Sequence, residues 1–237
     1  MEMQFIDGRN RSLWESINRH FRLRIENHSN HHFFHYFKDQ EVYLFVPEEG
    51  GTPELFTHEL LHLDLVVNGV TITNYLKDRL RNEPLLHWTF SENLFEQIGN
   101  CLEHSKMLPL YLEMSFERDL FSESYHMPCC TNMSMQMIRS GMGKEVPARA
   151  SIDLFIHKFF AMKACLNPEF NYEVQLEELR KINEELYSIL DQFWQNWEAF
   201  DISNNPYTSF KLFTYDFMHR LGTWNILNVY AKEKMRA

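Results

Sequence analysis

Cysteine is scarce in this chain and badly spaced for bridging: Cys101, Cys129, Cys130 and Cys165 are the whole supply, and no two of them form a CxxC pair. Adjacent Cys129 and Cys130 are poorly placed to bridge each other, so reduced thiols are expected, and no cysteine pair has zinc-ligand spacing. Positive charge is also in deficit. Lys and Arg number 23 against 33 Asp and Glu, a formal net charge of −10. That balance excludes nucleic-acid binding as the main function, because phosphate contacts need clustered cations. The one local basic run, Arg9, Arg11, Arg19, Arg22 and Arg24, is interrupted by Glu15 and reads as a solvated face. Long apolar runs are missing too, with nothing near the roughly 18 residues that span a bilayer. Met1 to Asp7 has neither the basic nor the apolar region of a signal peptide. A cytoplasmic protein with no membrane partner is the expectation.

What is present suits a sizeable core: 44% of the 237 residues are hydrophobic and 15% aromatic. One domain over residues 1–237 is expected, with a core at about 12–120 and a helical C-terminal part at about 150–235. Leu13, Trp14, Ile17, Phe21 and Ile25 recur at spacings of three and four, which predicts an amphipathic helix over 12–26. Residues 31–37 and 41–46 read as a β-hairpin around the polar Lys38-Asp39-Gln40. Val70 to Asn74 is a candidate short strand, and Ser91-Glu92 opens a helix with Leu94, Phe95, Ile98 and Leu102 on its apolar stripe. Phe121 to Pro147 reads as a loop-dominated region able to cover or flank a cleft. Helices are predicted over 151–165, 171–199 and 207–233; the stripe from Leu176 to Trp197 either packs on the rest of the chain or forms a dimer seam. The fold class is therefore α+β and predominantly helical, with a small β-sheet.

One segment carries chemistry. Thr57-His58-Glu59-Leu60-Leu61-His62 contains an HExxH sequence, and a helix places its two histidines one turn apart on one face, where both imidazoles reach a single metal ion. The motif is short, so its context matters. Thr52 is a good N-cap, Pro53 fits the first helical position, Glu54 complements the dipole and Asn68-Gly69 is a plausible stop. Glu59 stands among Leu60, Leu61 and Leu63, and a carboxylate in such company needs a partner. The plainer alternative makes His58 and His62 core histidines satisfied by carbonyls. A metzincin continuation is excluded: it needs glycine at position 65 and histidine at position 68, where Leu65 and Asn68 stand. Asp64 either supports His62 or faces water.

A catalytic zinc site normally has three protein ligands and an open position. The best downstream acid is Glu103, in Gly99-Asn100-Cys101-Leu102-Glu103-His104 on the later helix. With that residue the chain resembles gluzincin-type zincin metallopeptidases over residues 31–113, most closely bacterial HExxH proteins of uncharacterised function, and more distantly the peptidases that cleave immunity repressors. The resemblance implies a zincin-like core, Zn²⁺ on His58, His62 and Glu103, Glu59 as general base, and a peptide or protein substrate pairing along the strand at 41–46. Asn100 and His104 are candidates to hold the metal-binding side chains in place or to stabilise the transition state, and His104 is also an alternative ligand. His87, Tyr111, Tyr125 and His126 are further candidates for a transition-state donor. The thermolysin-like pattern around the acid is missing, with Met107 where a supporting Asp would stand. His31, His32 and His35 form a second histidine cluster, split by strand alternation between two faces. The alternative function is a catalytically inactive protein of the same fold that serves as a binding or regulatory module.

Overall fold

The computed structural model describes residues 4–29, 33–38, 41–49, 51–203 and 209–235. It is α+β and mostly helical, with one three-stranded sheet. The chain divides into two compact units, one of residues 1–69 and 105–127, the other of 70–104 and 128–237. No helix among the described residues is long and apolar enough to cross a membrane.

In the first unit, α1 (Arg11–His20) is followed by β1 (Arg22–His28), β2 (Phe34–Lys38), β3 (Glu41–Pro47) and α2 (Pro53–Val67). The predicted helix over 12–26 thus stops six residues early. Leu23 and Ile25 alternate with Arg22, Arg24 and Glu26, a period of two, and the segment pairs in parallel with β3 from Arg22↔Glu41 to His28↔Pro47. Arg22 and Arg24 ion-pair with Glu41 at 3.1 and 3.0 Å while staying largely exposed. The expected hairpin is present: β2 runs antiparallel to β3, with Phe34↔Phe45, His35↔Leu44 and Lys38↔Glu41 as partners. The sheet order is β1-β3-β2. β3 is therefore the central strand, hydrogen-bonded on both sides, and cannot take an extended substrate along its edge as expected; its backbone groups are already paired. Val42, Leu44 and Val46 point to one face and join Ile17 of α1 and Phe56, Leu60 and Leu63 of α2 in a closed core.

α2 begins and ends where the sequence signals stand. Leu55 N–H donates to Thr52 Oγ1 at 3.3 Å, Pro53 opens the helix, and Gly69 takes a positive φ of 75° after the Asn68 cap. Val70 to Asn74 is not a strand: α3 (Ile72–Arg81) begins there, with Ile72 and Leu76 buried at helical spacing.

The second unit holds α3, α4 (Pro84–Thr89), the start of α5 (Glu92–Glu113), α6 (Asn132–Met142), α7 (Arg149–Lys163), α8 (Glu173–Ile182), α9 (Glu184–Ala199), α10 (Ser209–Asn225), a π-helical turn (Ile226–Tyr230) and α11 (Ala231–Lys234). α5 starts at the expected cap, with Leu94 N–H donating to Ser91 Oγ at 3.1 Å. Two expectations are corrected. The loop-like 121–147 segment contains α6, capped by Thr131. The helix over 171–199 is broken at Asn183, whose extended backbone ends α8 and whose Oδ1 accepts from Leu186 N–H at 2.8 Å to start α9. Position 207, the expected start of the last helix, lies outside the described residues. Leu186, Ile189, Leu190, Phe193 and Trp197 are buried within the chain, so this stripe is core and not a dimer seam.

Candidate metal centre

α2 places His58 and His62 on one face, and their Nε2 atoms stand 3.2 Å apart. His104 completes a group in which one ligand atom of each histidine lies within 4.8 Å of the other two. It is carried by α5. Tetrahedral zinc with Zn–N bonds of about 2.0–2.1 Å sets neighbouring ligand atoms about 3.3–3.4 Å apart. The His58–His62 spacing fits that edge closely, and the trio is the group among the described residues with donor atoms placed to hold a metal ion.

The expected acid is not in this group. Glu103 Oε1 instead accepts from the Thr73 hydroxyl of α3 at 2.6 Å. The physical reason lies one turn earlier: Gly99 meets Thr73 so closely that an added Cβ would fall 2.0 Å from its Oγ1. Residues four apart share a helix face, so the seam that seats Gly99 against α3 also turns Glu103 towards α3. His104, about 100° further round the helix, points elsewhere. Asn100 is exposed.

Glu59 has the partner its setting demands, and it is a residue that sequence reasoning did not assign to it. His35 Nδ1 donates to Glu59 Oε2 at 2.9 Å. His35 pairs across the hairpin with buried Leu44, and cross-strand partners face the same side, so the imidazole is delivered to the sheet face that α2 covers. The Glu59 side chain is only 14% exposed. Burial alone would push its carboxyl up, but the His35 hydrogen bond and the imidazoles of His62 and His58 outweigh it and hold the pKa below the ordinary value. His31 and His32 lie outside the described residues.

For His58 the balance runs the other way. Burial and neighbouring His62 depress its pKa to about 4, against the opposing pull of Glu59 and the Phe121 backbone. The ring is neutral at physiological pH, the form that ligates metals. Phe121, fully buried, packs on it with centroids 4.6 Å apart. Phe121 thus brings the start of the 121–147 segment against the histidines.

Tyr111 reaches this cluster through Phe121, with ring centroids 5.0 Å apart, and its buried hydroxyl has no hydrogen-bond partner among the described residues. Tyr125 and His126 contact each other edge to face at 5.0 Å, and His87 is exposed on α4. Asp64 accepts from Asn68 Nδ2 at 3.2 Å and so serves the end of its own helix. The four cysteines are free, and burial raises the Cys101 and Cys129 thiols to about 12 and about 11, which keeps them as unreactive thiols. No family model, curated protein or solved structure matches the chain.

Proposed function

We propose that the protein is a zinc-dependent hydrolase acting on peptides, with His58, His62 and His104 as the metal ligands and Glu59 as the general base. The observation that carries this reading is a nearly buried carboxylate, hydrogen-bonded to His35, one residue from the first of three histidines whose ligand atoms lie within 4.8 Å of one another. Three imidazoles could also hold other first-row metals, so zinc is part of the proposal and not a consequence of the donor set alone. When bound, zinc would lower the pKa of water in its open position to about 7 and polarise a substrate carbonyl.

The chain's own residues have separable tasks. His58, kept neutral, presents a lone pair, and Phe121 fixes its ring. Glu59 stays charged in a largely water-excluded place, so it can accept a proton without first shedding a hydration shell. A purely structural zinc site is usually closed by four protein ligands and has no use for such a carboxylate. The three-imidazole set departs from the two-histidine, one-glutamate set of the gluzincins, and leaves the ligand shell itself uncharged. The zincin-like core belongs to the same proposal, supported by the order of hairpin, HExxH helix and later ligand-bearing helix.

Glu59→Gln separates a hydrolase from a binding module of the same fold. The amide leaves all three ligands in place but cannot take a proton, and general-base contributions are typically about 10² to 10⁴ in rate. Zinc content should therefore be unchanged while cleavage of a quenched-fluorescent peptide library falls at least about a hundredfold. Equal cleavage by the variant would refute the mechanism, and no cleavage by zinc-loaded wild type would favour the binding module.

A further inference from the structure

His35 lies outside the three-histidine group, yet it makes the one side-chain hydrogen bond to Glu59 among the described residues, Nδ1 to Oε2 at 2.9 Å. An ionised carboxylate only accepts, so the hydrogen of this bond sits on His35 Nδ1. For a neutral ring that leaves Nε2 as the lone-pair nitrogen and fixes one tautomer. It also divides the two oxygens of Glu59: Oε2 is held by the hairpin and Oε1 is left over.

We propose that His35 is a positioning residue for Glu59, its Nδ1–H anchoring Oε2 so that Oε1 is the oxygen presented to take a proton beside the histidines. This rests on the reading of Glu59 as general base. A glutamate side chain has three rotatable bonds, and the helix fixes none of them, so without a tether the carboxylate samples several rotamers. The register of the hairpin supplies the tether, since His35, opposite buried Leu44, lies on the face of β2 that looks to α2. A role as a fourth metal ligand fits less well. His35 is not among the residues whose ligand atoms, taken from either ring nitrogen, lie within 4.8 Å of one another, and coordination through Nδ1 would require giving up Glu59.

The test uses full-length, zinc-loaded protein with ¹⁵N-labelled histidine. Long-range ¹H–¹⁵N spectra should show His35 as the Nδ1–H tautomer in wild type and return it towards the Nε2–H form in Glu59→Ala. In a chelator competition, zinc affinity of His35→Ala should stay within about threefold of wild type, whereas loss of a true ligand costs far more than the 10–100-fold typical of supporting groups. On the peptide library, His35→Ala should lower kcat about 10–100-fold with KM little changed, the scale expected when a reacting group is misplaced by about 1 Å. His35→Asn carries an amide N–H near the place of Nδ1 and should restore most of it. An Nε2–H tautomer in wild type, a zinc affinity that collapses in His35→Ala, or an unchanged kcat would overturn the proposal. Absence of cleavage by wild type, with the tautomer as expected, would instead overturn the general-base reading on which it rests.

Discussion

Gly99→Ala tests the seam that turns Glu103 of α5 towards α3. In an ordinary exposed helix this change stabilises, by roughly 1 kcal/mol from propensity. Here the new Cβ would sit 2.0 Å from Thr73 Oγ1, 2.7 Å from its Cβ and 2.9 Å from its Cα. The last contact is with backbone, so a rotamer change at Thr73 cannot relieve it and α3 must move. Overpacking of this kind typically costs about 1–3 kcal/mol, and displacing Thr73 also weakens its hydrogen bond to Glu103, worth about 1 kcal/mol. After subtracting the propensity gain, a net loss of about 1–3 kcal/mol is expected, or about 2–4 °C in Tm for each kcal/mol in a chain of this size. Urea and thermal denaturation followed by circular dichroism would measure it, and a double-mutant cycle with Thr73→Ala should show coupling, because the two residues touch. A variant more stable than wild type, with additive effects in the cycle, would refute the seam.

Two further outcomes follow from the same contacts. Phe121→Ala removes a fully buried ring packed on both His58 and Tyr111 and should cost about 3–5 kcal/mol of stability; a loss under about 1 kcal/mol by urea denaturation would contradict its placement. His157 is held neutral, its pKa depressed to about 4 by burial and by nearby Lys158. The unfolded chain therefore binds the extra proton first, and stability contributed by this residue is present above about pH 6.5 and lost as pH falls towards 4. His157→Gln should flatten the stability curve across that window, and identical slopes for variant and wild type would rule the residue out.

The parts of the site governed by local rules were legible in the sequence. Thr52, Pro53 and Asn68-Gly69 bound α2 as expected, so the spacing of His58 and His62 translated directly into adjacent Nε2 atoms. The parts decided by partners distant in sequence were not. Leu23 and Ile25 fit both a helical and an alternating pattern, and pairing with β3 decided for the strand. The choice between Glu103 and His104 depends on how α5 is rotated, which residue spacing does not report. One signal was present: a glycine inside a helix marks close approach, and Gly99 shares its face with Glu103. That pairing assigns the acid to a helix seam. His35 was placed on the correct strand, but its face became readable only through the register that sets it opposite Leu44.

Zinc titration of metal-stripped protein by chelator competition, comparing wild type with His104→Ala and Glu103→Ala, bears most directly on the proposed centre. Wild type should bind one Zn²⁺ per chain. His104→Ala should weaken binding by more than the roughly 100-fold loss of a supporting residue, and Glu103→Ala should change it little. The reverse ranking, or zinc bound undiminished after loss of both His58 and His62, would contradict the three-histidine site.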